Sequence, residues 1–124
     1  LLWDAARKIE AGQPSFFGTG GELRDWIHVS DAATLLVAAA VREQGAYEVY
    51  NGGNEVHDIR HVLARLANCM GRDAAPRFSG EVHAGNPVRL TSDSSRARRM
   101  LAWTPRVALD EGIARYARWF GDQE

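Results

Sequence analysis

A chain of 124 residues makes one domain or a piece of a larger one. Its 45% apolar content, with four Trp, four Phe and three Tyr, supplies a core and excludes a disordered tail. A formal charge of -1 lacks the basic excess of a nucleic-acid binder, and no apolar run approaches the roughly 18 residues of a membrane span.

The single cysteine, Cys69, rules out an internal disulfide framework and fits a reducing, cytoplasmic compartment. Leu2, Ala5, Ala6 and Ile9 form one helical stripe, closed by Gly12 and Pro14. Charges at Asp4, Arg7, Lys8 and Glu10 exclude a signal peptide over this stretch. The chain begins on Leu1, already in helical pattern, which points to a cut through a longer protein. Residues 15–17 suit a short strand, followed by a glycine turn at 18–21. Residues 24–29 alternate in the manner of a strand, with Asp25, Ile27 and Val29 on one side and Arg24, Trp26 and His28 on the other. Ser30 is a good N-cap for the next helix, helped by Asp31 in its first turn. That helix is apolar nearly all round over 32–41, so it is expected to be well buried. A turn at 44–46, a strand at 47–50 and a break at the Asn51–Asn54 stretch follow.

Asp58 can cap the next helix, whose apolar positions Ile59, Val62, Leu63, Leu66, Ala67 and Met70 keep helical spacing up to Gly71. Residues 76–91 read as short strands and turns. Asp93 or Ser94 opens a short helix ending near Leu101. A last helix shows Leu109, Ile113, Tyr116, Ala117 and Phe120 on one face. Trp103 and Trp119 are expected in the core. The pattern is mixed α/β with more helix than strand.

The glycines at 18–21 do not make a phosphate cradle. A dinucleotide fingerprint needs a third glycine at position 23, which is Leu23, and then a helix rather than a strand. A Walker loop needs Gly-Lys-Ser/Thr, and Lys8 is the only lysine. A tight turn with left-handed glycines is the expectation. His57 and His61 are four apart, but with Asp58 as cap His57 falls outside the helix, and no third ligand has zinc spacing. Both are expected to be solvated, and no metal site is expected. Cys69 is read as packing rather than as a nucleophile, and Arg96, Arg98 and Arg99 as a solvated face. Arg24 ends a turn beside a strand, where a guanidinium suits either an ion pair or bidentate phosphate contact.

The stretches "RDWIHVSDAA" (24–33), "YEVYNGG" (47–53), "DSSRARRMLAWTP" (93–105) and "LDEGIARYARWF" (109–120) resemble, in order and spacing, the C-terminal part of the extended short-chain dehydrogenase/reductase family, the NAD-dependent nucleotide-sugar epimerases and dehydratases. The resemblance covers nearly the whole chain. It implies that residues 1–124 are the C-terminal, nucleotide-sugar-binding portion of such an enzyme. The Rossmann domain would be largely missing, along with its cofactor loop and its Tyr-x-x-x-Lys pair. NAD or NADP would then serve the intact enzyme and not bind this chain, which would carry no catalytic residue. By the same resemblance, Ser15 and Phe17 contact the nucleobase and Arg24 clasps the diphosphate. The family's Arg-x-Gly-Asp falls on His83-Ala84-Gly85-Asn86. That alignment assigns His83 to phosphate and Asn86 to a ribose hydroxyl, with two departures from the family pattern. Arg77 or Arg89 could stand in for the lost arginine, and a rival alignment uses Ser79-Gly80-Glu81. Where the family has Gly in Leu-Gly-Trp-x-Pro this chain has Ala102. A non-catalytic module of the same architecture is the alternative reading. Cut from its Rossmann partner, the chain is expected to self-associate through the 47–50 strand and the 32–41 helix.

Overall fold

A computed structural model describes residues 1–42 and 47–123. The expected turn at 44–46 lies outside the described residues. Helix α1 (Leu2–Glu10), strands β1 (Ser15–Phe16) and β2 (Leu23–Trp26), helix α2 (Val29–Val41), strand β3 (Glu55–Asp58) and helix α3 (Ile59–Cys69) come first. Strands β4 (Arg77–Phe78) and β5 (Arg89–Leu90) and helices α4 (Ser95–Leu101) and α5 (Leu109–Gly121) complete the order. Helices α1 and α5 pack on α3, α2 lies against α4, and the strands form two small sheets.

The core is where α1, α3 and α5 meet. Ala5 and Ala6 leave no side-chain bulk on α1, so its backbone comes close to α3, and Ile9, Val62, Leu63 and Leu66 are sealed between them. Each such aliphatic side chain contributes roughly 1.5–3 kcal/mol on burial. From α5, Ile113, Ala117 and Phe120 close the third side. The helix ends are fixed as the sequence suggests. Asp58 Oδ1 accepts the His61 amide at 2.6 Å. Gly12 and Gly71 adopt φ of 69° and 65° just past α1 and α3. The Gly71 and Arg72 amides donate to the Asn68 and Ala67 carbonyls, which would otherwise be orphaned.

β1 and β4 pair in parallel, Ser15 opposite Arg77. In the second sheet β2 is central, antiparallel to β3 with Arg24 opposite His57, and parallel to β5 with Arg24 opposite Leu90.

Five expectations need correction. The strand expected over 24–29 stops at Trp26, because helix α2 starts at Val29. His28, not Ser30, is its N-cap, its Nδ1 accepting the Ser30 amide at 3.2 Å. Helix α2 is not well buried. Only Asp31 is fully enclosed, and Val29, Leu36, Val37 and Val41 are 62–76% exposed, because none of the described elements packs across that face. Residues 47–50 form no strand. The Tyr50 hydroxyl donates to Glu48 and accepts from Arg42, while Tyr47 and Val49 are exposed. Trp103 is core, its Nε1 donating to the Asp31 carbonyl at 3.1 Å, but Trp119 is half exposed and meets Trp3 and Tyr116 in tilted ring contacts.

Candidate functional site

The glycine turn is a closed structure. Gly18 and Gly20 adopt φ of 97° and 80°, as expected of left-handed glycines. The amide of Thr19 donates to Glu22 Oε1 at 2.9 Å, that of Gly21 to Thr19 Oγ1 at 3.1 Å, and that of Gly18 to Ser79 Oγ at 3.3 Å. The N–H groups that a phosphate would need are therefore spent inside the turn. Buried Glu22 is itself the anion that the turn holds. The Thr19 amide keeps its carboxyl below the ordinary carboxylate range, against the opposing effect of burial.

Arg24 projects from β2 toward the segment that precedes β5. Its Nη1 donates to the Leu23 carbonyl at 2.8 Å and to the Pro87 carbonyl at 2.9 Å. Its Nη2 donates to Asn86 Oδ1 at 2.5 Å. All three acceptors are neutral. No carboxylate among the described residues pairs with this guanidinium, so its charge is positioned but not cancelled.

Residues 83–86 form the tight turn that presents Asn86. The Asn86 amide donates to the His83 carbonyl at 2.9 Å, and the Gly85 amide to His83 Nδ1 at 3.2 Å. The His83 ring meets Phe17 edge-on, centroids 6.3 Å apart. Phe17, His83, Asn86 and Arg24 thus form one continuous chain of contacts, with both rings open to solvent. Ser15 stands apart, opposite Arg77 in the β1–β4 ladder, its amide donating to the Gln13 carbonyl. Gly80, the pivot of the rival alignment, is bonded to the Gly18 carbonyl in the glycine turn, away from Arg24. Arg77 and Arg89 are both exposed, and Arg89 Nε lies 3.3 Å from Thr91 Oγ1.

Sequence reasoning missed the group on the other face of β2. Asp25 Oδ1 accepts the Asn54 amide at 2.9 Å, and Oδ2 accepts the Ser92 amide at 3.1 Å and the Ser92 hydroxyl at 2.5 Å. A Cβ added at Gly53 would overlap both Asp25 Oδ2 and Ser92 Oγ. The signal was present in the alternation that opposes Asp25 to Arg24 and in the paired glycines at 52 and 53, but their contact is long-range.

A hollow of about 640 Å³ lies elsewhere, between Trp26, Ile27 and Val29 on one side and Ile113, Tyr116 and Trp119 on the other. Its lining is mostly apolar. The Tyr116 hydroxyl is buried there without a partner among the described residues, and burial raises its pKa. His57 and His61 stack with centroids 4.6 Å apart, and no group of three metal-binding side chains occurs among the described residues. No described helix is long and apolar enough to cross a membrane.

The NAD dependent epimerase/dehydratase family matches residues 1–53. UDP-glucose 4-epimerase of Mycolicibacterium smegmatis is 32% identical over 104 residues, 84% of this chain and 33% of that protein. Putative GDP-L-fucose synthase 2 of Oryza sativa subsp. japonica is 31% identical over 114 residues, 91% of this chain and 32% of that protein. UDP-glucuronic acid 4-epimerase of Bacillus cereus, solved with UDP-glucuronic acid and NAD, superposes with a TM-score of 0.86 at 25% identity, covering 97% of this chain and 39% of that one. The chain spans about a third of the length of the curated relatives it matches.

Proposed function

Because the chain belongs to the extended short-chain dehydrogenase/reductase family, with the mixed α/β fold of its C-terminal part and little of the Rossmann core, we propose that residues 1–124 are the nucleotide-sugar-binding portion of an NAD(P)-dependent epimerase, dehydratase or reductase. The observation that carries this reading is Arg24. A half-buried guanidinium held in place by three neutral oxygens offers a fixed, uncancelled positive charge, which suits a diphosphate. The Asn86 contact supports the alignment through Gly85 over the one through Gly80.

In this reading Arg24 holds the diphosphate with His83 beside it, Phe17 contacts the base, and Asn86 serves a ribose hydroxyl while steadying Arg24. Ser15 would meet the base through its exposed position on β1. Binding energy gathered so far from the reacting sugar goes into orienting that sugar. The hydride chemistry belongs to the cofactor and to groups outside this chain. The residues here do not fit a dinucleotide, because the amides of the glycine turn are spent on Glu22, Thr19 and Ser79. A cytoplasmic location accords with the lone Cys69.

Calorimetry with UDP-, GDP- and dTDP-sugars tests the reading. Arg24→Ala is expected to weaken the preferred ligand by about 1.5–3 kcal/mol, the range for a hydrogen bond to a charged group. An unchanged dissociation constant would refute the role of Arg24. A second reading, a binding module without activity, draws on the replacement of the family arginine by His83 and of its aspartate by Asn86. Full-length protein that binds the nucleotide-sugar but does not turn it over with NAD⁺ or NADP⁺ would favour that module.

A further inference from the structure

We propose that Asp25 is the positioning residue of the nucleotide site, setting the 83–87 turn against Arg24 through Ser92; this rests on the reading of Arg24 as the diphosphate ligand. Strand β5 is two residues long, and its register on β2 decides where Asn86 and Pro87 stand. A slip of one residue moves that segment by about 3.3 Å and turns its side chains to the other face. Two ladder pairs specify register weakly. Before the strand, the Leu23 amide is bonded to the Val88 carbonyl at 2.8 Å. Beyond it, the Asp25 carboxylate takes both the amide and the hydroxyl of Ser92. β5 is therefore pinned at both ends, and the second pin is a side chain.

The other carboxylate oxygen of Asp25 holds the Asn54 amide at the entry to β3, so one carboxylate locks both neighbours of β2. Gly53 is explained by the same clamp. Its φ is not in the left-handed region, so no backbone demand calls for glycine. The demand is space, since any Cβ would fall on Asp25 Oδ2 and Ser92 Oγ. Asp25 and Arg24 point to opposite faces, which leaves Asp25 clear of the ligand and acting only through placement.

The test is calorimetric titration of the chain with UDP, GDP and dTDP, beside thermal unfolding, for wild type, Ser92→Ala, Gly53→Ala, Asp25→Asn and a core control, Val62→Ala. Ser92 is exposed, so Ser92→Ala is expected to keep the unfolding midpoint while weakening the preferred diphosphate about tenfold, the scale of a small misplacement at a binding group. Gly53→Ala and Asp25→Asn are expected to weaken it at least as much. Val62→Ala is expected to lower the midpoint and leave affinity intact below the transition. Wild-type affinity retained in Ser92→Ala and Gly53→Ala would overturn the role of Asp25 while sparing that of Arg24. A wild type that binds none of the three diphosphates would overturn both.

Discussion

Arg24 and His83 are the residues at which the account is most exposed to test. By resemblance the family's phosphate-holding arginine falls on His83, an exposed ring that meets Phe17 edge-on, and a guanidinium there would offer bidentate contact to a phosphate. His83→Arg should therefore tighten nucleotide-sugar binding. Unchanged or weaker binding on calorimetry would point to the alignment through Gly80 or to the module reading. Glu22 gives a pH prediction of known sign. Its folded pKa lies below the ordinary 4.5, chiefly through the Thr19 amide. A depressed carboxylate contributes stability that is present above its unfolded pKa and is lost as pH falls through the folded value. Wild type should lose unfolding free energy as pH drops below about 4.5. Glu22→Gln should be less stable at neutral pH and should lose less on acidification. Parallel pH profiles for the two proteins would contradict the carboxylate's role in the turn. Arg24, Phe17, His83 and Asn86 could be named from motif order alone. Glu22 and Asp25 could not, because their partners Thr19, Asn54 and Ser92 acquire meaning only when the chain is folded.

Helix ends are the elements the sequence describes best, since a cap is a local arrangement. Asp58, Gly12 and Gly71 do what their positions suggest. Ala102 does so at a cost. It ends α4 with φ of 49°, the only non-glycine residue among those described with positive φ. Left-handed backbone brings an alanine Cβ into conflict with its own peptide, so Ala102→Gly should raise stability by about 1 kcal/mol. Chemical denaturation reads this directly, and a neutral or destabilising result would mean that the helix end relaxes. Helix α2 shows where local pattern misleads. A run such as Val29, Leu36, Val37 and Val41 signals burial against something, but not that the partner is within the chain. The start of α2 departs from the local pattern for a related reason. Ser30 has the better cap propensity, yet the His28 ring nitrogen takes the Ser30 amide itself. Residues 47–50 carry strand-forming side chains but have no strand partner among the described residues, so propensity alone does not make a ladder there.

At the scale of the whole molecule, α1, α3 and α5 form a closed core, while α2 and the hollow beside Trp119 present apolar surface outward. The main helical neighbours of α3 are α1 and α5, and that of α2 is α4. Soluble monomers seldom leave a patch of that kind open. The isolated chain should therefore associate as its concentration rises. Leu36→Glu with Val37→Lys should return it to a monomer without changing the core. Light scattering that shows a clean wild-type monomer at high concentration, with no dye-accessible apolar surface, would refute this. The proposed ligand site uses no residue of α2, so the α2 variant is the right sample for testing whether this chain holds a nucleoside diphosphate at Arg24 and not a dinucleotide at its glycine turn. The direct measurement is a two-dimensional amide NMR titration of that variant with UDP, GDP and dTDP, and separately with NAD⁺. One of the diphosphates should shift the signals of Phe17, Arg24, His83 and Asn86 in a saturable way, and NAD⁺ should leave those of Gly18, Thr19 and Gly21 where they are. Saturable shifts in the glycine turn on adding NAD⁺, or no response around Arg24 to any of the three diphosphates, would contradict it.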